Sequence, residues 1–332
     1  PQRLDQDRLD YVRVISDAGK RQTLFNIVRL RFGEPPTFLA LDQVVSGYTL
    51  QTTGEASVDF YRSATENNFL GVRGAVDFTD RPTFTLTPIT GERFVESYLR
   101  PLPPVDLLSL MQGGVPVDSL LRLFAQSIGS VRNANPLDLT GRSSSSDFLE
   151  LVADLRRLQA GGALRLRFED RPGGPRRVFL LIDPSDAPDL AGTAHRARQL
   201  LAVDPSAREL EVVYGTRRVR PSRLEIPILT RSMLAALGSV ASEIELPDED
   251  VRNGRAAPQR TNLAKAPPLI TIHSGPAAPP SNYSAVLVDG RWYWLEDTDY
   301  RSKLAFTLLE IMKSVAESTR GVAVPMLTIP AG

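Results

Sequence analysis

The stretch LRLRFEDRPGGPRRVFLLI, residues 164–182, decides the fold class. Leu164–Phe168 and Val178–Ile182 read as two strands, and Arg171-Pro172-Gly173-Gly174 between them supplies turn residues. A helical pattern at about Asp147–Gln159 precedes the pair. The same order then returns. A helix at about Pro188–Leu201 is followed by strands at Leu210–Tyr214 and Leu224–Leu229. A third helix at about Arg231–Ile244 is followed, after a proline-rich insertion, by strands at Leu269–His273, Ser284–Val288 and Trp292–Leu295. The copies share a cadence and no obvious residue identity. Hairpins linked by helices predict an α+β fold: an antiparallel sheet built from repeated helix–strand–strand units, with the helices packed on one face. Single strands alternating with helices, as a Rossmann-like parallel sheet requires, do not occur.

Working outward, the N-terminal region reads as helix and strand. Tyr11, Ile15, Ala18, Gln22, Phe25, Val28 and Phe32 recur at helical spacing, predicting one helix or two meeting near Gly19. Gly33, Pro35 and Pro36 stop it. Strand-like text follows at Gly47–Thr53, Ser57–Tyr61, Gly71–Asp77 and Thr83–Pro88; in the last, Phe84 and Leu86 alternate with threonines. A helical block is expected over about Ser109–Val131, broken by Gly113-Gly114 and Pro116. Asn133 to Asp147, with its serine run Ser143–Ser146, reads as a linker. The expected domains are therefore 1–140, a helix and strand region, and 141–332, the α+β domain. A last helix, about Asp299–Ser318, carries Tyr300, Leu304, Leu308, Ile311 and Val315 as its apolar stripe, with Lys303, Glu310 and Lys313 off it. Val322–Ile329 reads as a closing strand.

Composition narrows the chemistry. The 332 residues are 42% hydrophobic and 23% charged, enough for a core without metal or disulfide staples. Thirty-nine basic and 39 acidic residues cancel, so no global field draws nucleic acid or an anionic surface. Lysine stands only at Lys20, Lys265, Lys303 and Lys313; the other basic residues are arginines, scattered along the chain as a GC-rich genome would leave them. With no cysteine, thiol catalysis, zinc–thiolate sites and iron–sulfur clusters are excluded. No apolar run is long enough for a transmembrane helix. A first residue of Pro1 fits a product whose targeting segment has been removed, and a trimmed chain would begin the same way.

The local signals for a site are few. His195 sits in a helical pattern and is followed by Arg196 and Arg198, as a surface histidine can be. His273 and Ser274 lie at a strand end and are the candidates for a hydrolase or transferase, but adjacent residues rarely act as base and nucleophile, and no G-x-S-x-G elbow occurs. Glu296, Asp297, Thr298 and Asp299 offer oxygen ligands for a hard cation, or a helix cap with Asp297 or Thr298 as the acceptor; capping explains the position without a metal. Arg217, Arg218, Arg220 and Arg223 make a basic turn without interleaved aromatics. Gly113-Gly114 and Gly161-Gly162 match no phosphate-binding loop. Trp292 and Trp294 share a strand face, expected to pack on the final helix, with Tyr293 opposite. No residue is assigned a catalytic, cofactor-binding or metal-binding role, and no cofactor is expected.

Two longer stretches carry a resemblance. NIVRLRFGEPPTFL, Asn26–Leu39, is similar to the opening motif of a family of proteobacterial envelope lipoproteins without an assigned activity. RWYWLEDTDYRSK, Arg291–Lys303, resembles that family's closing motif. Arg81-Pro82-Thr83 with Thr87-Pro88, and Leu229-Thr230-Arg231-Ser232-Met233-Leu234, also look similar. The resemblance implies an exported precursor with a lipid-bearing cysteine upstream of Pro1, and a location in the periplasm or at the outer membrane. Physically the motifs read as architecture: Arg29 and Arg31 near terminal helix carbonyls, then Gly33 and two prolines setting the exit.

The expected function is a non-catalytic cell-envelope protein, a structural or interaction subunit with protein partners in a membrane-associated assembly. No nucleic acid is expected, and the membrane is reached through the upstream anchor. The loops Arg252–Pro268 and Gly275–Asn282 are natural contact points. The alternatives are a hydrolase or transferase using His273 and Ser274, and a small-molecule or lipid carrier with an apolar cavity beneath the sheet.

Overall fold

One continuous helix, α1 (Gln2–Arg31), passes through Gly19 without a break. The computed structural model describes residues 2–56, 72–134, 145–185, 187–215, 223–257 and 267–318. The buried side of α1 is Thr23, Leu24, Asn26, Ile27, Val28 and Arg31, whereas Phe25 is exposed. The expected stripe through Ile15, Gln22 and Phe25 is therefore rotated. Thr23 is buried because it meets a charged group: Lys313 Nζ donates to Thr23 Oγ1 at 2.8 Å. A reading that sorts helix faces by polarity cannot place such a residue inside.

After Pro36 the chain forms two long strands, β1 (Leu39–Ala56) and β2 (Val72–Pro88), paired antiparallel from Leu39↔Pro88 to Ala56↔Val72 with one bulge between Leu41 and Gln43. From Val72 on, the expected strands Gly71–Asp77 and Thr83–Pro88 are parts of a single β2; Gly71 lies outside the described residues. The expected strand Ser57–Tyr61 lies outside the described residues. These two strands are a sheet by themselves, and Thr37–Ile89 is a compact unit distinct from the rest of the chain.

The larger unit continues with α2 (Gly91–Phe94), a π-helical turn (Val95–Leu99), α3 (Pro104–Gln112) and α4 (Val117–Phe124). The helical block expected to reach Val131 stops at Phe124, where the chain turns into β3 (Ala125–Ile128) and β4 (Val131–Arg132). Gly129 makes that turn at φ +58°, and a Cβ there would stand 2.9 Å from the Leu201 carbonyl oxygen, so a glycine is required. Then come α5 (Ser146–Ala160), β5 (Leu164–Glu169) and β6 (Arg177–Ile182), followed by a 3₁₀ turn (Pro188–Leu190) and α6 (Ala191–Leu201). Next are β7 (Glu209–Tyr214), β8 (Glu225–Thr230), α7 (Met233–Ala241) and α8 (Asp248–Arg252). The described chain closes with β9 (His273–Gly275), β10 (Asn282–Val288), β11 (Arg291–Glu296) and α9 (Tyr300–Ser318).

Two sheets result in this unit. The larger has the order β4-β3-β8-β7-β6-β5 and the smaller β10-β11-β9. The β5–β6 hairpin pairs from Leu164↔Ile182 to Glu169↔Arg177. The fold is thus α+β, but the repeated helix–strand–strand unit does not build one antiparallel sheet. β7 and β8 run parallel, and the strands of the third copy form the separate small sheet. Alternation of apolar residues records which face a strand buries and carries no sign for its direction. Leu269, Ile270 and Ile272 are buried without joining a ladder, which is why the strand expected over Leu269–His273 shrinks to β9. Strands β3 and β4, from before the serine-rich segment, share the large sheet with strands that follow it.

The large sheet has unlike faces. Leu180, Val212, Ile226 and Ile228 meet Leu108 of α3, Val117 and Leu121 of α4, Leu155 of α5 and Leu201 of α6 around a small apolar space. On strands β5, β6 and β7 the other face carries ions. Arg167 bonds Glu209 and Glu169, Arg177 bonds Glu211 and Glu169, and both guanidinium groups lie over the Phe179 ring at 4.0 and 4.8 Å from its centroid. Phe179 is covered by charged side chains and needs no further layer.

α9 buries Ser302, Ala305, Phe306, Leu308, Leu309, Met312, Lys313 and Ala316, while Tyr300 and Ile311 are exposed. The expected stripe is again displaced, and Lys313 is on the buried side. Its ammonium is held by Thr23 and, at 2.9 Å, by Glu310. Nearby Tyr98, almost fully buried, donates its hydroxyl to Glu317. Burial, then the Glu317 charge and hydrogen bond, push that phenol far above its ordinary range. Among the described residues no helix is long and apolar enough to cross a membrane.

Candidate functional site

His273 and Ser274 are neighbours on β9 and so face opposite sides of the small sheet. The Ser274 hydroxyl donates to the Glu245 carbonyl at 3.4 Å. The His273 ring stacks on Trp294, with centroids 5.8 Å apart, and its Nε2 stands 3.9 Å from Glu296. Among the described residues no hydroxyl is hydrogen-bonded to His273. The geometry that would let the histidine activate a nucleophile is not assembled.

In the acidic turn, Asp299 is the helix cap, in place of the expected Asp297 or Thr298. Its Oδ1 accepts the Ser302 N–H at 3.0 Å and its Oδ2 accepts the Ser302 hydroxyl at 2.5 Å. Partial burial opposes the charged form of Asp299. Hydrogen bonds from the Ser302 side chain and from the Ser302 and Arg301 N–H groups, with the Arg301 charge, outweigh it and hold the carboxyl below its ordinary range. Asp297 instead takes Lys303, whose Nζ donates to the Asp297 carbonyl and to Oδ1, both at 2.8 Å. Thr298 donates to Glu296 at 3.4 Å. No group of three or more His, Asp or Glu among the described residues is disposed to hold a metal ion.

Several arginines do more than a scattered distribution suggests. His195 is exposed on α6, but its neighbours are engaged. Arg196 makes two bonds, 2.6 and 2.5 Å, to the buried Asp154 of α5. Arg198 is itself buried and donates to the Ala207 and Ile182 carbonyls. The basic turn at Arg217, Arg218 and Arg220 lies outside the described residues. Trp292 and Trp294 are half-exposed on the outer face of β11, and Tyr293 and Leu295 are the buried pair. Trp294 lies against Gly275 and His273.

The long motifs act as clasps. Arg31 does not serve its own helix end: it is buried and reaches across the fold to the carbonyls of Ile244 (3.2 Å) and Ala257 (2.8 Å). Burial lowers its pKa from the ordinary arginine value. Arg29 pairs with Glu34 at 2.9 Å. In the 229–234 motif, Arg231 is buried and donates to the Arg122, Leu123 and Ala134 carbonyls and to Ser239. It closes the C-terminal end of α4, where Asn133 binds the Arg122 and Ala125 carbonyls. Thr230 donates to the Leu102 carbonyl at 2.5 Å, and Ser232 caps α7 by accepting the Ala235 N–H.

One polar cleft, about 350 Å³, forms where the first and last motifs meet. Phe32 from the end of α1 and Tyr293 of β11 pack edge to face. Arg255 spans Asp250 (3.3 Å) and Asp289 (3.4 Å). Arg291, Glu249 and Asn253 complete the lining. Burial raises the Tyr293 phenol above its ordinary range. Two arginines against three acids leave no surplus charge to select an anion. Phe32, Arg291 and Tyr293 belong to the quoted motifs and Asn253 and Arg255 to the loop Arg252–Pro268, whereas Glu249, Asp250 and Asp289 carried no earlier signal; Asp289-Gly290 between two strands is a legible hairpin turn, and both residues adopt positive φ.

A carrier would need a closed apolar chamber. The apolar space beneath the large sheet is about 20 Å³, far below the ~300–1,000 Å³ of small-molecule pockets. No protein-family model, curated protein or solved structure matches this chain.

Proposed function

We propose that the chain is a non-catalytic structural or interaction subunit of a membrane-associated assembly in the bacterial cell envelope, periplasmic or bound to the outer membrane. Its partners are proteins, and nucleic acid is not among them. The observation that carries the reading is the pair β1 and β2. Among the described residues these strands make a two-stranded sheet of their own, so each has one edge of backbone donors and acceptors with no described strand beside it. An isolated two-stranded ribbon is marginal in water, and addition of further strands is the usual remedy. The engagement of Arg31, Arg231, Asp299 and Ser274 in scaffold bonds favours the same reading over a catalytic one. The resemblance of Asn26–Leu39 and Arg291–Lys303 to lipoprotein motifs supports the location.

Gentle extraction of the protein from its own membranes, followed by native mass spectrometry, tests this. A defined complex is expected. Recovery as a partnerless monomer from the soluble fraction overturns the proposal.

A further inference from the structure

We infer that β1 and β2 are a membrane-spanning hairpin, and that several copies of this chain join their hairpins edge to edge into one closed β-barrel. The inference rests on the assembly reading above and names the partners: further copies of the chain along the strand edges, and lipid around the outside.

Register divides the ribbon's residues between two faces, because directly opposed residues of an antiparallel pair share a side. Leu50↔Phe78, Thr52↔Val76, Gly54↔Gly74 and Ala56↔Val72 are on one face. Over the same stretch Gln51↔Asp77, Thr53↔Ala75 and Glu55↔Arg73 are on the other. The first face is free of charge from Leu50 to Ala56 and from Val72 to Phe78. The second carries Glu55, Arg73 and Asp77. Tyr48↔Asp80 extends the first face to its polar limit, and Val44↔Phe84 continues it beyond. At the base of the same face, Leu39 and Leu86 are 38% and 54% exposed. Among the described residues no other strand joins the ribbon.

Dimensions fit a bilayer. Strand β2 has 17 residues, about 55 Å at ~3.3 Å per residue. Its distal half with β1, Tyr48–Ala56 opposite Val72–Asp80, has roughly the 9–11 residues that a tilted strand needs to cross hydrocarbon, with Asp80 at its interfacial end and the charge-free pairs from Leu50↔Phe78 to Ala56↔Val72 within it. Apolar residues facing lipid and polar residues facing a wet lumen, alternating along each strand, are the pattern of membrane barrels. In hydrocarbon both open edges must be satisfied, which only closure achieves. A hairpin can pair β1 with β2 of the next copy, a head-to-tail contact that repeats until a ring closes. The smallest membrane barrels have about eight strands, so four or more copies are needed.

The test uses the full chain. Purified protein is added to dye-loaded vesicles of phosphatidylethanolamine with phosphatidylglycerol and to planar bilayers of the same lipids. Four variants are compared: Leu50→Arg and Phe78→Arg on the apolar face, Thr49→Arg and Thr79→Arg on the polar face. Unchanged far-ultraviolet circular dichroism shows that each variant is folded. The natural chain is expected to form oligomers of one size, release dye and give stepwise conductance. Apolar-face arginines should lower dye release at least tenfold. Polar-face arginines should leave insertion intact and shift the pore toward anions. Natural protein that leaves vesicles intact, or equal losses from both pairs of variants, overturns the inference. If it ignores bilayers yet leaves its own membranes bound to a different protein, the barrel falls and the assembly reading stands; if it has neither property, both fall.

Discussion

One edge of the six-stranded sheet is β4, only two residues long, and the other is β5, which carries Arg165 and Arg167. Short edges and edge charges are how folded proteins discourage further pairing. The ribbon of β1 and β2 has edges 18 and 17 residues long, and among the described residues no third strand lies on either side. In the large sheet a face without helices is closed by the Arg167, Arg177, Glu169, Glu209 and Glu211 ladder over Phe179. In the ribbon, the register places Leu50, Phe78, Val76 and Val72 on one face and Glu55, Arg73 and Asp77 on the other. Among the described residues the larger unit closes its own edges and the smaller one does not, and the proposed assembly role rests on that difference.

The contrast can be broken most sharply by hydrogen exchange on the full chain in detergent-free solution. Amides of Thr49–Thr53 should exchange through local opening, and those of Leu180 and Ile226 only through global unfolding. The gap in protection should be roughly 10³-fold or more. Equal protection would show the ribbon to be as well satisfied as the sheet.

A smaller effect probes how the larger unit is closed. Arg231→Met should remove the donors to the Arg122, Leu123 and Ala134 carbonyls and cost roughly 2–4 kcal/mol of unfolding free energy, measured by denaturant titration. A loss of a few tenths would mean that the clasp is ornamental. The smallest effect concerns the α9 cap. Asp299→Ala should cost about 1 kcal/mol at neutral pH. Because the folded state holds this carboxyl below its ordinary range, its contribution is complete above the unfolded value and fades as pH falls through the lower folded one. The gap between natural chain and variant, measured by thermal unfolding across that acid range, should therefore close; a gap independent of pH would assign the loss to packing.

Much of this was legible in the residues. Leu164–Phe168 and Val178–Ile182 pair as read, since Pro172, Gly173 and Gly174 leave the chain little choice but to turn. The alternation of Thr83–Pro88 belongs to β2. Less was legible where polar groups are buried. Lys313 and Thr23 satisfy each other across two helices, so each helix presents a face that hydropathy assigns to water. The cleft of Arg255, Asp250, Asp289 and Tyr293 gathers residues from separated segments, and no local pattern marks it.

Apolar periodicity, turn residues and the absence of cysteine were enough to settle by themselves that this is an α+β chain without thiol chemistry, because those properties are local or compositional. Strand direction in β7 and β8, the 213-residue reach from Arg31 to Ile244, and the separation of β1 and β2 as a sheet of their own came only with the tertiary structure. The reason is physical: direction, partner choice and edge closure depend on which distant segments compete for the same hydrogen bonds, and no short window of residues contains both competitors.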